Sequence, residues 1–156
     1  MGFLKFRNKM KPKFIDYFFS IAERTALLST AVKLKVGAVI VKDNRILSIG
    51  YNGTPSGWSN DCETIEYRLP GDVAPSLVTK PEVLHAEANA LMKLTKSTES
   101  SEGAILFCTH EPCLECAKLI YQAGISHVYY IHEYASQKCG SGIAFLREAR
   151  INVTKR

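Results

Sequence analysis

The chain has 156 residues, is 46% hydrophobic and 22% charged, and carries a formal net charge of +5. That is the size of one domain with a real core, and no apolar run reaches the roughly 18 to 20 residues that span a bilayer. The charge is modest and concentrated at the two termini, which suits a phosphorylated substrate but lacks the clustered basic face of a nucleic-acid binder.

The N-terminal stretch MGFLKFRNKMKPKF is basic. It has neither a long apolar region nor a small-residue cleavage site, so it does not read as a signal peptide. Phe6 stands where a myristoylation motif at Gly2 would need Ser or Thr. The expected location is therefore the cytoplasm, a host's cytoplasm if the gene is viral. In that setting the five cysteines point to metal ligands or free thiols before a disulfide framework.

Phe14, Phe18, Ile21, Thr25 and Leu28 recur at spacings of four and three, which predicts a first helix over roughly 13–31. KVGAVIV (35–41) and RILSIGY (45–51) read as strands. Asp43-Asn44 between them tolerates the positive φ of a tight turn, so the two should pair antiparallel. Residues 52–80 are rich in Gly, Pro, Asn, Asp and Ser and have no sustained period. They read as one long functional loop within a single domain, with Trp58 and Tyr67 giving it partial order. A helix follows at about 84–97, then a strand at 104–109, a helix at 113–123 ended by Gly124, a strand at 126–132, a helix at 139–149 and a last strand in RINVTK. Strands alternating with helices should run parallel with right-handed crossovers. The fold class is α/β, a mixed sheet with helices on both faces.

Two short stretches carry chemistry. Cys113-Leu114-Glu115-Cys116 puts two sulfurs on one side of a helix, and Pro112 before them suits a helix start. Unpaired N–H groups and the positive end of the helix dipole favour thiolates there. His85 is the most economical third ligand. Three ligands with a fourth position open to water is the pattern of a catalytic zinc, where a closed structural site would use four. Glu87 lies two residues from His85. Mid-helix residues at that spacing project about 200° apart, so both can face one metal site only if His85 sits at the helix entrance. His85 then ligates, and Glu87 moves protons to and from a water that attacks an electrophilic carbon. His85-Ala86-Glu87 with Pro112-Cys113-Leu114-Glu115-Cys116 matches the zinc-deaminase signature.

The stretches KVGAVIVKDNRILSIGYNGTPSGW, VLHAEANALMKL and PCLECAKLIYQAGISHVYY together resemble the deoxycytidylate (dCMP) deaminase branch of the cytidine-deaminase superfamily. GYNGTPSG (50–57) is what points to that branch. The resemblance implies a three-layer α-β-α fold with a five-stranded mixed sheet. It implies hydrolysis of dCMP to dUMP and ammonia with one zinc, supplying thymidylate synthesis. Glu87 would protonate N3 of the cytosine and later the departing amine. Asn52 would hold the deoxyribose hydroxyl, and Arg24 would meet the phosphate, with Lys33, Lys35 and Arg68 as other cations. The family further suggests a homo-oligomer, a hexamer, activated by dCTP with Mg²⁺ and inhibited by dTTP, with the effector near Gly50, Tyr51, Asn52 and Gly53. No nucleic acid or membrane is expected as a partner. Glu111 departs from the small or hydrophobic residue relatives often carry there; it either alters the pocket or faces solvent. Cys62 has no Cys or His cluster around it, so no second zinc is expected, and Cys62, Cys108 and Cys139 are expected to be free thiols. Two alternatives stay open: a deaminase of cytidine, guanine or transfer-RNA adenosine, or a non-catalytic zinc scaffold.

Overall fold

A computed structural model describes residues 9–67, 69–71, 74–134 and 142–156. The readings at Gly2, Phe6, Arg68 and Cys139 fall outside the described residues. In chain order the elements are α1 (Pro12–Ala26), β1 (Gly37–Lys42), β2 (Arg45–Tyr51), β3 (Glu63–Glu66), β4 (Ser76–Thr79), α2 (Ala86–Leu94), β5 (Ile105–His110), α3 (Leu114–Gln122), β6 (His127–His132), α4 (Gly142–Glu148) and β7 (Asn152–Lys155). No helix among the described residues is long and apolar enough to cross a membrane.

Five strands form one sheet in the order β2-β1-β5-β6-β7. β1 pairs antiparallel with both β2 and β5, and β5, β6 and β7 run parallel. The central strands are buried on both faces, so their side chains divide by period two. Ala38, Ile40, Leu106, Cys108, Val128 and Tyr130 join the core beneath α2, α3 and α4. Val39, Val41, Phe107 and Tyr129 point the other way, onto Phe18, Phe19 and Ala22 of α1. This is the expected three-layer α-β-α fold with a five-stranded mixed sheet.

The turn between β1 and β2 holds Asp43 at φ 51° and Asn44 at φ 57°, both left-handed, as a two-residue hairpin of this twist requires. Gly124, at φ 76°, follows α3 and donates its N–H to the Tyr121 carbonyl at 3.0 Å, the C′ role read from the sequence.

Three expectations need correction. α1 ends at Ala26, so Leu28 lies beyond it and is exposed. The buried stripe is Phe18, Phe19, Ala22, Thr25 and Ala26: the helix beds on a wide aromatic surface and turns small residues, not Leu28, toward the sheet. Residues 52–80 are not one loop, because β3 and β4 pair as an antiparallel hairpin. That hairpin leaves no hydrophobic alternation to read, since it lies on the surface with Ile65 59% exposed. Nor do Trp58 and Tyr67 order the segment, both being mostly exposed. Polar bonds do: Thr30 Oγ1 donates to the Asn60 carbonyl at 2.7 Å, the Lys80 N–H to the Cys62 carbonyl at 2.9 Å, and the Val32 and Lys33 N–H groups to one oxygen of Glu63 at 3.0 and 3.1 Å.

Candidate active site

The N-termini of α2 and α3 meet on the same side of the sheet. His85 is the N-cap of α2, with extended backbone (φ −74°, ψ 151°) and no capping bond from its side chain. It sits at the helix entrance, as its spacing from Glu87 demands. A two-bond bridge fixes that entrance: Gly53 N–H donates to the Leu84 carbonyl at 3.1 Å, and Leu84 N–H to the Gly53 carbonyl at 2.8 Å. Cys113 is the N-cap of α3, also extended (φ −70°, ψ 169°). Its sulfur accepts the Cys116 N–H at 3.5 Å, one of the orphan donors of a helix start.

His85 Nδ1 lies 3.5 Å from Cys113 Sγ and 3.4 Å from Cys116 Sγ, and all three ligand atoms fall within 4.8 Å of one another. A tetrahedral zinc about 2.3 Å from sulfur and about 2.0 Å from nitrogen sets those atoms about 3.5 Å apart. The two nitrogen–sulfur separations therefore match those of a bound ion. It is the sole group of this kind among the described residues; Cys62 and Cys108 are both buried and unpaired by disulfide.

The electrostatics suit the same use. The hydrogen bond from Cys116, with another from His85, holds the Cys113 thiol down to about 3. The hydrogen bond with Cys113 and burial push Cys116 up instead. A cation that binds thiolates takes the place of such thiol protons. The bond to Cys113 raises His85. Glu87 is 3% exposed, and burial pushes its carboxyl up to about 7, against the opposing pull of its own backbone N–H and of His85. A carboxyl at that value both accepts and donates protons near neutrality.

A cavity of about 290 Å³ opens beside this cluster, and of the three ligand residues His85 alone lines it, with Glu87 and Tyr134 next to it. Asn52, Lys33 and Leu34 line it as well, with Cys62, Glu63 and Thr79. Asn52 is clamped. Its Oδ1 accepts the Val36 N–H at 2.8 Å, its Nδ2 donates to the Leu34 carbonyl at 2.8 Å, and its own carbonyl accepts Ser29 Oγ at 2.6 Å. One amide hydrogen and one lone pair remain for a ligand. Arg24 is not in the cavity wall: it is an exposed residue of α1, the helix on the far face of the sheet. Lys35 is exposed and also absent from the wall. Lys33 is the cation the fold brings there among the described residues.

The stretch Gly50–Gly53 is tied to α2. A Cβ on Gly50 would collide with the Ala86 carbonyl and lie 2.5 Å from the Ala90 nitrogen, so the glycine serves a close helix–strand approach. Asn89 Nδ2 donates to the Tyr51 carbonyl at 3.0 Å, and the Lys93 ammonium stands 5.5 Å over the Tyr51 ring.

The sequence reading missed Tyr134, Glu63 and Cys62 as lining residues. Cys62 and Glu63 lie in the stretch read as a functional loop, but no motif singles them or Tyr134 out; hydrogen bonds to groups distant in the chain bring them in.

A family model for the cytidine and deoxycytidylate deaminase zinc-binding region matches residues 12–132. The chain is 41% identical over 128 residues to the deoxycytidylate deaminase of Mycobacterium phage D29, covering 79% of this chain and 98% of that one. It is 40% identical over 120 residues to human deoxycytidylate deaminase, covering 76% of this chain but only 64% of the human protein's length. Among solved structures it resembles the dCMP deaminase of cyanophage S-TIM5 in complex with dCMP and dUMP, with a TM-score of 0.82 and 42% identity over 94% of this chain and 99% of that one. The ligand cluster, the buried Glu87 and these likenesses agree: the chain belongs to the cytidine and deoxycytidylate deaminase family.

Proposed function

We propose that this protein hydrolyses dCMP to dUMP and ammonia with one zinc held by His85, Cys113 and Cys116. The observation that carries the reading is Glu87, a buried carboxyl at about 7 in the wall of the same cavity as His85. The relatives named as dCMP deaminases supply the substrate. Bound zinc supplies polarisation of a water at neutral pH. Glu87 takes the first proton of the attacking water and delivers it to N3 of the pyrimidine as the oxygen bonds to C4; it then takes the second proton, from the C4 hydroxyl, and passes it to the amine, which leaves C4 as ammonia while the C4 carbonyl forms. Protonating N3 makes C4 more electrophilic, and protonating the amine makes it a competent leaving group. Burial serves each step, because a carboxyl near 7 loses little driving force in either direction. A purely structural metal site has no use for such a group, which disfavours the scaffold alternative.

Asn52 offers its remaining amide hydrogen to the deoxyribose hydroxyl. For the phosphate, Lys33 has the support of lying in the cavity wall; Arg24 rests on the resemblance alone. The product dUMP feeds thymidylate synthesis in the cytoplasm. A homo-oligomer, a hexamer as the family suggests, is supported by the exposed apolar residues Leu27, Leu28, Val32 and Trp58, which a partner copy would cover. Activation by dCTP with Mg²⁺ and inhibition by dTTP would act through Gly50, Tyr51, Asn52 and Gly53. Their bonds to Leu84 and α2 offer a route from that stretch to His85 and Glu87.

The test is ammonia release from dCMP, dCTP, cytidine, guanine and RNA, with dCTP and dTTP added as effectors. Dominant turnover of anything but dCMP defeats the substrate assignment.

A further inference from the structure

Glu111 stands just beyond the last pair of the β5–β6 ladder, His110 with His132. Its N–H continues the ladder by donating to the His132 carbonyl at 2.9 Å. There the backbone rungs stop, because Pro112 and the Cys113 N-cap turn the chain away into α3. The next donor on the β6 side is the Tyr134 N–H, and Glu111 Oε1 accepts it at 3.0 Å. A side-chain carboxylate thus takes the place of the missing backbone carbonyl. The residue it holds matters: Tyr134 is partly buried, lines the cavity with His85 and Glu87, and packs its ring 5.5 Å from that of His110. Glu111 does not line the cavity; its hydrogen bond to the Tyr134 N–H links it to a residue that does.

We propose that Glu111 is a positioning residue for the pyrimidine nucleotide. Its carboxylate fixes the Tyr134 backbone and so seats the tyrosine ring as the wall against which the base packs. The inference rests on the dCMP reading above. It accounts for an acidic side chain at a position where no charged contact with a ligand is required.

The experiment is a double-mutant cycle with dCMP, reading KM, kcat, zinc content and thermal midpoint. Glu111→Leu removes the acceptor; KM should rise about three- to tenfold, the size of one lost hydrogen bond, with zinc content unchanged and kcat within about twofold. Glu111→Gln keeps an oxygen acceptor and should restore KM to near the parent value. Tyr134→Ala should raise KM at least as far, and in that background Glu111→Leu should add nothing further, since the two act as one unit. Additive effects in the cycle would overturn the proposal. So would an unchanged KM in Glu111→Leu, or loss of zinc and kcat at unchanged KM, which would assign Glu111 to the neighbouring Cys113. Glu111→Ala replaces the leucine variant if that one unfolds. Loss of fold in both while Tyr134→Ala stays folded would make the residue structural and sink the idea. Parent protein that leaves dCMP untouched defeats the substrate reading and takes this proposal with it. Normal dCMP turnover with an indifferent Glu111→Leu defeats the role of Glu111 alone.

Discussion

The two sides of the site are built by different means. The reactive side is made of helix starts: His85 and Cys113 as N-caps, Glu87 and Cys116 within the next few residues. The opposite side is made of loops and a hairpin, stitched by single carboxylates and amides that capture backbone groups far away in the chain. Glu63 holds Val32 and Lys33, and Asn52 holds residues 34 and 36. The difference teaches a division of labour. Reactivity is specified by short spacings on rigid elements, where a ligand or base is held by the helix it opens. Recognition is specified by long-range polar cross-links, which can change without disturbing the chemistry.

The largest effect should come from the reactive side. Glu87→Ala should retain zinc and lose about 10²- to 10⁴-fold in kcat, the usual contribution of a positioned acid–base group. Metal analysis beside a dCMP assay decides it: zinc and turnover both preserved would remove Glu87 from the mechanism. The same residue carries a stability cost. Its carboxyl is raised from 4.5 to about 7 in the folded protein, so between those values the folded state binds the proton and the unfolded state has released it. Stability should therefore fall as pH rises from 4.5 through about 7, by about 3 kcal/mol at 1.36 kcal/mol per pH unit. In metal-free protein Glu87→Gln should abolish that loss. Urea titrations at pH 5 and pH 8 on both proteins would show it, and parallel pH profiles would refute it.

This division also explains what was legible. The five-stranded sheet could be read because its central strands are buried on both faces and its hairpin turn is Asp-Asn. The cluster of His85, Cys113 and Cys116 could be read because each pair of residues is local and metal chemistry fixes what the pairs must do. The two-residue spacing even fixed the backbone at His85. Tyr134 and Glu63 could not be read. Their roles come from hydrogen bonds across 23 and about 30 residues, and neither lies in a periodic or motif-bearing stretch. The β3–β4 hairpin escaped because it is short and largely exposed and has no apolar alternation.

The join between the two sides should be brittle. Gly50 lies near the end of β2, two residues before Asn52 of the recognition side, and α2 of the reactive side packs directly on it. Gly50→Ala should destabilise by about 1–3 kcal/mol through overpacking. Because the helix that must move carries Glu87, kcat should fall too, at unchanged zinc content. A thermal melt with a kinetic assay checks both, and a fully active, fully stable alanine variant would uncouple the two sides.

The smallest effect, and the one that best separates recognition from reaction, concerns the cations. Lys33 lines the cavity and its backbone is held by Glu63, whereas Arg24 lies on α1 across the sheet. An exposed or half-exposed cation facing a phosphate contributes roughly 1 kcal/mol, screened by salt. Lys33→Ala should therefore raise KM for dCMP about fivefold and leave kcat nearly unchanged. Glu63→Ala should raise KM by less, since it loosens Lys33 without removing it. Arg24→Ala should change neither constant. The ranking Lys33, Glu63, Arg24 is the measurable content, best read at low ionic strength where the charge term is largest. If Arg24→Ala raised KM more than Lys33→Ala, the phosphate would be met by a residue that one copy of this chain keeps away from its own cavity. The recognition side would then have to include a surface contributed by another copy.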